Sequence, residues 1–191
     1  MNYPTNYTEA IADFESLSKD DKEPFLYAIV GYALYVSQNF EKLLMNIIWG
    51  NKSVNRKDET NQEMHTFFDK YEFGKYTMGR LVKEVKEILN LSLEGSNKLE
   101  QILLQRNFLV HNYFNANDRL LYVPNGYHRV IKDFLNFIND SNEFEIKLHE
   151  IQLEYLEKFG YTKEILQKKV DDEILNWAEA GIDDSYQSMK L

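Results

Sequence analysis

Apolar residues recur at alternating steps of three and four along the first third of the chain. The pattern follows Asp20, Glu23 and Pro24, which together are typical of the first turn of a helix. Such spacing places one apolar face of a long helix against a core, and it predicts a helix to about Trp49. The stripe consists of Leu26, Ile29, Ala33, Val36, Phe40, Leu43 and Ile47. Apolar residues also occupy the other faces between 27 and 35, which predicts burial on several sides, including against a second subunit.

Several later segments show the same helical period. They cover residues 76–89, 99–114, 125–138 and 144–159 and a stretch after Thr162, with a shorter helix after a capping box at Thr60 and Glu63. The polar runs 50–61 and 93–96 are predicted as a loop and a turn, residues 120–123 as a short extended piece, and 140–142 as a helix break. Gly160 is predicted to end a helix. The fold class is therefore all-α, a helical bundle of antiparallel helices joined by short loops.

The length of 191 residues fits one domain with a substantial core. Residues 1–20 form a polar N-terminal segment that is expected to pack loosely, and 21–140 form the helical core. Residues 141–180 are predicted to be C-terminal helices packed on the same domain, followed by a flexible tail at 181–191.

The composition indicates which cellular compartment and which binding partners to expect. The chain has no cysteine and no N-terminal basic segment before an apolar run, so a reducing cytoplasm is expected. The apolar stretch 25–49 is interrupted by polar residues, which argues against a membrane span. The net charge of −9 opposes non-specific nucleic-acid binding, although a local positive site remains compatible with it.

Polar residues with useful chemistry interrupt the predicted helix at 99–114. Arg106 lies in a gap of the apolar line, and Asn107 and His111 form an i, i+4 pair on the neighbouring strip. Tyr113 continues the apolar line. Groups able to bind phosphate and to move protons are therefore placed on a largely apolar helix face.

The pattern Arg–Asn–x–x–x–His–x–Tyr in residues 106–113 resembles the signature of the HEPN superfamily, whose members include many prokaryotic ribonucleases. With its tyrosine, it is most similar to HepT-type toxins of HEPN/nucleotidyltransferase pairs. The resemblance implies a HEPN-like helical bundle with additional C-terminal helices, assembled as a homodimer around a shared cleft. It also implies a metal-independent endoribonuclease that acts as a toxin or antiphage effector on tRNA or mRNA, without a cofactor. The chain is longer than typical members, and its C-terminal helices depart from the compact HepT pattern.

In this interpretation His111 transfers protons and Arg106 binds the scissile phosphate. Asn107 orients His111 or a phosphate oxygen, and Tyr113 contacts substrate or stacks on a base. The resemblance further implies that a partner nucleotidyltransferase can adenylylate Tyr113, or that an antitoxin neutralises the protein.

Two other classes of function remain open. A single arginine on a helix more often makes an ion pair, and a single histidine near apolar residues more often packs, so the chain can be a non-catalytic helical binding module. Its acidity also suits an antitoxin-type partner of a basic protein. His65, His128 and His149 have no second ligand that predicts a metal site, and Glu145 with His149 is more typical of a solvated face.

Overall fold

The computed structural model describes residues 6–55, Thr66 and 77–180. The described part contains helices and no strand, which confirms the all-α prediction. The helices are α1 (Tyr7–Ser16), α2 (Lys19–Asn55), α3 (Met78–Leu89), α4 (Leu93–His111), α5 (Tyr113–Ala116), α6 (Gly126–Glu157) and α7 (Lys163–Ala180), and a 3₁₀ helix spans Asp118–Tyr122. The chain divides into two compact units, Met1–His149 and Glu150–Leu191.

The predicted stripe of α2 is the centre of the first unit. All seven of its residues are buried, and α2 packs on α3, which in turn packs on α4. Helix α2 continues six residues beyond the predicted end at Trp49, so residues 50–55 are helical rather than a loop. Near its end the Asn55 side chain donates to the Asn51 carbonyl (2.7 Å). Most of the remaining predicted loop and the short helix after Thr60 lie outside the described residues.

Helix α1 was not predicted, because it has only two buried residues, Ala10 and Phe14. The Asn6 side chain caps it by accepting from the Glu9 amide (2.9 Å). The Phe14 ring lies 5.5 Å from the Tyr127 ring of α6, so helix α1 is packed on α6 rather than loose.

Helix α6 runs without a break through residues 140–142, where a break was predicted. Asp140 accepts from Lys98 (2.7 Å) and from Gln105 (3.4 Å), both on α4. Its carboxylate is therefore held by tertiary partners and does not compete for the backbone of its own helix. The predicted domain boundary at 140/141 consequently lies inside a helix. Similarly, residues predicted as extended at 120–123 belong mostly to the 3₁₀ helix.

The second unit contains the last turns of α6 and helix α7. Gly160 adopts φ +84°, a conformation that favours glycine, shortly after α6 ends at Glu157, which confirms the predicted stop. Within this unit the Tyr155 and Phe159 rings are 5.2 Å apart. Residues 181–191 lie outside the described part, and the packing of the C-terminal helices on the core stays a prediction.

Candidate functional site

The motif helix α4, Leu93–His111, begins and ends earlier than the predicted segment 99–114. Ser92 caps its start by accepting from the Gly95 amide (3.1 Å), so residues 93–96 are its first turn and not a separate turn. The helix ends at His111, because Asn112 leaves helical geometry with φ −127° and ψ −15°. The chain changes direction there, so Tyr113 does not continue the face that carries Arg106.

Arg106 joins α4 to α2 through its guanidinium group. Its Nε donates to Ser37 Oγ (3.2 Å), its Nη1 donates to Asn107 Oδ1 (3.2 Å), and its Nη2 lies 3.7 Å from Glu41 Oε2. Ser37 is buried, whereas the Arg106 and Glu41 side chains are 20% and 29% exposed. The guanidinium is thus fixed in direction, with one edge open to solvent.

His111 lies at the exposed end of α4 beside the same guanidinium. Arg106 Nη1 is 3.4 Å from His111 Nε2. Because a guanidinium can only donate, this contact uses the lone pair of Nε2 and assigns the imidazole proton to Nδ1. The imidazole is therefore held next to the group proposed to bind phosphate.

Asn107 contacts Arg106, and its predicted role toward His111 or a phosphate oxygen stays a prediction. The Asn107 side-chain oxygen accepts from Arg106, so it orients the guanidinium. The residues that the sequence did not predict are Ser37 and Glu41. The signal available for them in the sequence was a serine directly after Val36 of the stripe, followed at i+4 by a carboxylate.

Tyr113 is buried, with 1% of its surface exposed. Its hydroxyl donates to Asp133 Oδ2 on α6 (2.8 Å), and Phe134 lies against its ring with centroids 4.9 Å apart. Burial first, and then this hydrogen bond, raise the pKa of the Tyr113 hydroxyl well above its usual range. Substrate contact or adenylylation at Tyr113 therefore requires α5 to move away from α6, and both stay predictions.

Two exposed aromatic rings flank His111. Phe108, one turn earlier on α4, is 42% exposed, and Phe114 on α5 is 38% exposed. The edges of both rings meet the buried Tyr113 ring at 5.7 and 5.5 Å. The surface around His111 is therefore aromatic as well as polar.

The other sequence candidates have ordinary structural neighbours. His128 pairs with Glu15, and His149 lies 3.8 Å from Glu145, while His65 lies outside the described residues. Arg80 on the exposed side of α3 pairs with Glu84 (3.0 Å). Over the residues that the structure describes, no three His, Cys, Asp or Glu side chains form a group that could hold a metal. Of the described helices, none combines the length and the apolar character needed to cross a bilayer.

Comparisons with protein-family models, curated proteins and solved structures find no match for this chain. The HEPN-like assignment thus depends on the motif residues, and its functional consequences are developed as a proposal.

Proposed function

We propose that the protein is a metal-independent endoribonuclease of HEPN type. The observation that carries the proposal is the position of Arg106, between the imidazole of His111 and the carboxylate of Glu41. RNA cleavage by the 2′-hydroxyl requires a proton acceptor, a proton donor and a fixed cation that binds the phosphate between them. Glu41, His111 and Arg106 have these three chemistries.

The chemistry assigns one role to each side chain. Glu41 accepts the proton of the 2′-hydroxyl as its oxygen attacks the adjacent phosphorus. The bond from phosphorus to the 5′-oxygen breaks, and protonated His111 donates to that oxygen. Arg106 binds the phosphate oxygens, with the phosphate taking the place of His111 Nε2 at Nη1. The products end in a 2′,3′-cyclic phosphate and a 5′-hydroxyl.

Cleavage of a fluorescent RNA in the presence of EDTA tests this assignment. We expect His111→Ala and Arg106→Lys to lower kcat by at least about 100-fold, because general acid–base catalysis and phosphate stabilisation each contribute about that much. Glu41→Gln should lower kcat similarly, because the amide cannot accept the proton of the 2′-hydroxyl. Arg80→Lys is the matched control, since Arg80 on α3 is an exposed arginine whose carboxylate partner, Glu84, lies on its own helix.

Full activity in any of the three site variants, with Arg80→Lys also active, would contradict the assigned role of that residue. Circular dichroism on each variant separates lost chemistry from lost folding.

We further propose that this activity serves a toxin or antiphage effector that cleaves tRNA or mRNA. Expression should arrest growth, and the His111→Ala variant should not. Co-expression with a neighbouring gene product tests the two modes of control. A mass gain of one or more AMP units that disappears in Tyr113→Phe indicates adenylylation by a nucleotidyltransferase. A stable complex without modification indicates an antitoxin that binds directly.

The proposal includes a homodimer. Three large side chains on α2, Tyr27, Leu34 and Tyr35, are more than one-third exposed although the sequence pattern predicts their burial. A second subunit would cover this apolar face. Light scattering at micromolar concentration should give twice the mass of one chain, and Leu34→Glu should give the mass of one.

A second candidate function is a non-catalytic binding module or an acidic antitoxin-type partner. The observation in its favour is that all three guanidinium nitrogens of Arg106 already have partners within the chain, which carries a net charge of −9. It predicts that the folded protein cuts no RNA, does not arrest growth, and forms a stable complex with a basic protein.

A further inference from the structure

A preformed cleft follows the motif helix. Its volume is about 450 Å³, and it is lined by Ala116, Asn117, Asp118, Arg119, Leu120 and Val123. Backbone hydrogen bonds from Leu120 to Asn117 (2.9 Å) and from Gly126 to Val123 (3.1 Å) close the segment. The Asn117 side chain also donates to the Tyr113 carbonyl (2.9 Å). The cleft is therefore anchored to the buried tyrosine of the motif, and its volume is in the range of small-ligand sites.

The wall of this cleft contains a cation without an internal partner. Within residues 6–55 and 77–180, no carboxylate lies within ion-pair distance of Arg119, whereas Arg80, Arg106 and Arg129 each have one. Arg119 is exposed, and its planar group matches phosphate oxygens. The neighbouring Asp118 adds an acceptor to the same wall, which suits a ligand that carries hydroxyl or amino donors beside its anion.

An exposed aromatic side chain lies beside the cleft. Tyr122, in the same 3₁₀ helix as Arg119, is 88% exposed. A tyrosine ring in this position offers a face on which a nucleobase can stack.

The cleft is close to the candidate catalytic groups along the chain. Its first wall residue, Ala116, follows His111 by five residues, and the four-residue helix α5 between them spans about 6 Å. Phe114 on this helix is 38% exposed. The exposed side chains of His111, Phe114, Arg119 and Tyr122 therefore all belong to one short segment of the chain.

We propose that Arg119 and Tyr122 form a subsite for single-stranded RNA, which binds a nucleotide that flanks the cleaved phosphodiester. Arg119 contacts its phosphate, Asp118 accepts from its sugar or base, and Tyr122 stacks on the base. Inside a duplex both faces of a base are covered by neighbouring base pairs, so we expect the substrate to be single-stranded RNA. The inference rests on the proposed ribonuclease function for its biological meaning, whereas binding at the subsite can be measured without cleavage.

Binding of a fluorescein-labelled 2′-O-methyl hexanucleotide measures the subsite alone, because this RNA has no free 2′-hydroxyl and cannot be cut. Arg119→Gln should weaken binding about 10-fold, the loss expected for one charged contact. It should also lower the salt dependence of log Kd by about 0.7, the value for one phosphate on a single strand. Tyr122→Ala should weaken binding about 10-fold and Tyr122→Phe by less than about 2-fold. Arg80→Gln is the control and should change neither quantity.

A cleavage arm uses RNA substrates of two lengths. Arg119→Gln should lower kcat/KM for a hexanucleotide about 10-fold and leave cleavage of a dinucleotide unchanged, because only the longer RNA reaches the subsite. If the wild type cuts no RNA but hexanucleotide binding depends on Arg119 and Tyr122, the result supports the subsite and contradicts the proposed ribonuclease function.

Four results would overturn the subsite while leaving the ribonuclease proposal intact. The first is equal weakening by Arg119→Gln and Arg80→Gln, which would reflect overall charge. The second is cleavage of the hexanucleotide at wild-type rate by Arg119→Gln and Tyr122→Ala. The third is a change of oligomeric mass in Tyr122→Ala, which would assign the ring to an interface with a second copy. Absence of probe binding at millimolar protein would likewise overturn it.

Discussion

Replacement of Tyr113 by phenylalanine removes one buried hydroxyl and leaves the ring in place. The hydroxyl donates to Asp133 (2.8 Å), and the ring contacts of α5 with α6 do not depend on it. The substitution therefore separates a structural role of Tyr113 from the substrate role that its position in the motif predicts.

The expected loss of stability follows from the partner of this hydroxyl. Hydrogen bonds to charged groups contribute about 1.5–3 kcal/mol. The Asp133 side chain is 36% exposed, so water replaces part of the lost donor and the loss is reduced to about 1–2 kcal/mol. For a chain of this size, that corresponds to a fall in Tm of about 2–8 °C.

The difference in unfolding free energy between wild type and Tyr113→Phe should also depend on pH. Burial, followed by the bond to Asp133, raises the pKa of Tyr113 above the ordinary value of 10.0. The folded protein thus holds the proton more tightly than the unfolded chain, and the stabilisation is complete below pH 10 and is lost as the pH rises above it. The gap between wild type and Tyr113→Phe should therefore narrow from pH 9 to pH 11.

Urea unfolding of wild type and Tyr113→Phe over this pH range measures the difference in unfolding free energy. Tyr122→Phe is the control, because Tyr122 is exposed and its substitution should change stability by less than about 0.5 kcal/mol. RNA cleavage by Tyr113→Phe should stay within about 2-fold of wild type. Equal stability of Tyr113→Phe and wild type at pH 7, or lost cleavage at unchanged stability, would refute the structural role.

Three further predictions concern other parts of the first unit. Gly126→Ala should destabilise the fold by about 3 kcal/mol or more in urea unfolding, because its Cβ would lie 1.5 Å from the Leu120 carbonyl oxygen; a loss below about 1 kcal/mol would contradict this. Ser141→Ala should be neutral or stabilising by up to about 1 kcal/mol in the same assay, since within the described part of the chain its buried hydroxyl has no hydrogen-bond partner, and clear destabilisation would reveal one. Glu15→Gln should lower Tm at pH 6, because hydrogen bonds chiefly from His128 lower the pKa of Glu15. The Tm difference from wild type should shrink as the pH falls below 4.5, and an undiminished difference at pH 3 would exclude this cause.

The long amphipathic helices were predictable because burial follows the helical period over many residues. The stripe from Leu26 to Ile47 is buried at every predicted position, and Gly160 ends its helix as expected. Helix α1 was missed because two buried residues in ten do not establish a period. The predicted break at 140–142 was wrong because Lys98 and Gln105, more than thirty residues earlier, bind Asp140.

The motif residues of the candidate site were visible in the sequence, whereas their partners were not. The spacing placed Arg106 and His111 near each other, and the structure brings their side chains to 3.4 Å. Glu41 contacts Arg106 from a helix 65 residues earlier, and no local pattern encodes such a pairing. The change of direction at Asn112, which turns Tyr113 into the core, depends on contacts with α6 that the helical period does not contain.

Arg106 makes ligand binding in this protein an exchange reaction. All three guanidinium nitrogens of Arg106 have partners inside the fold, so each contact with a phosphate replaces an internal one. Removal of the Ser37 hydroxyl would lower the free energy of unfolding and release Nε as a donor at the same time. Variants of this chain can therefore gain affinity by losing stability, and selection for either property would change the other.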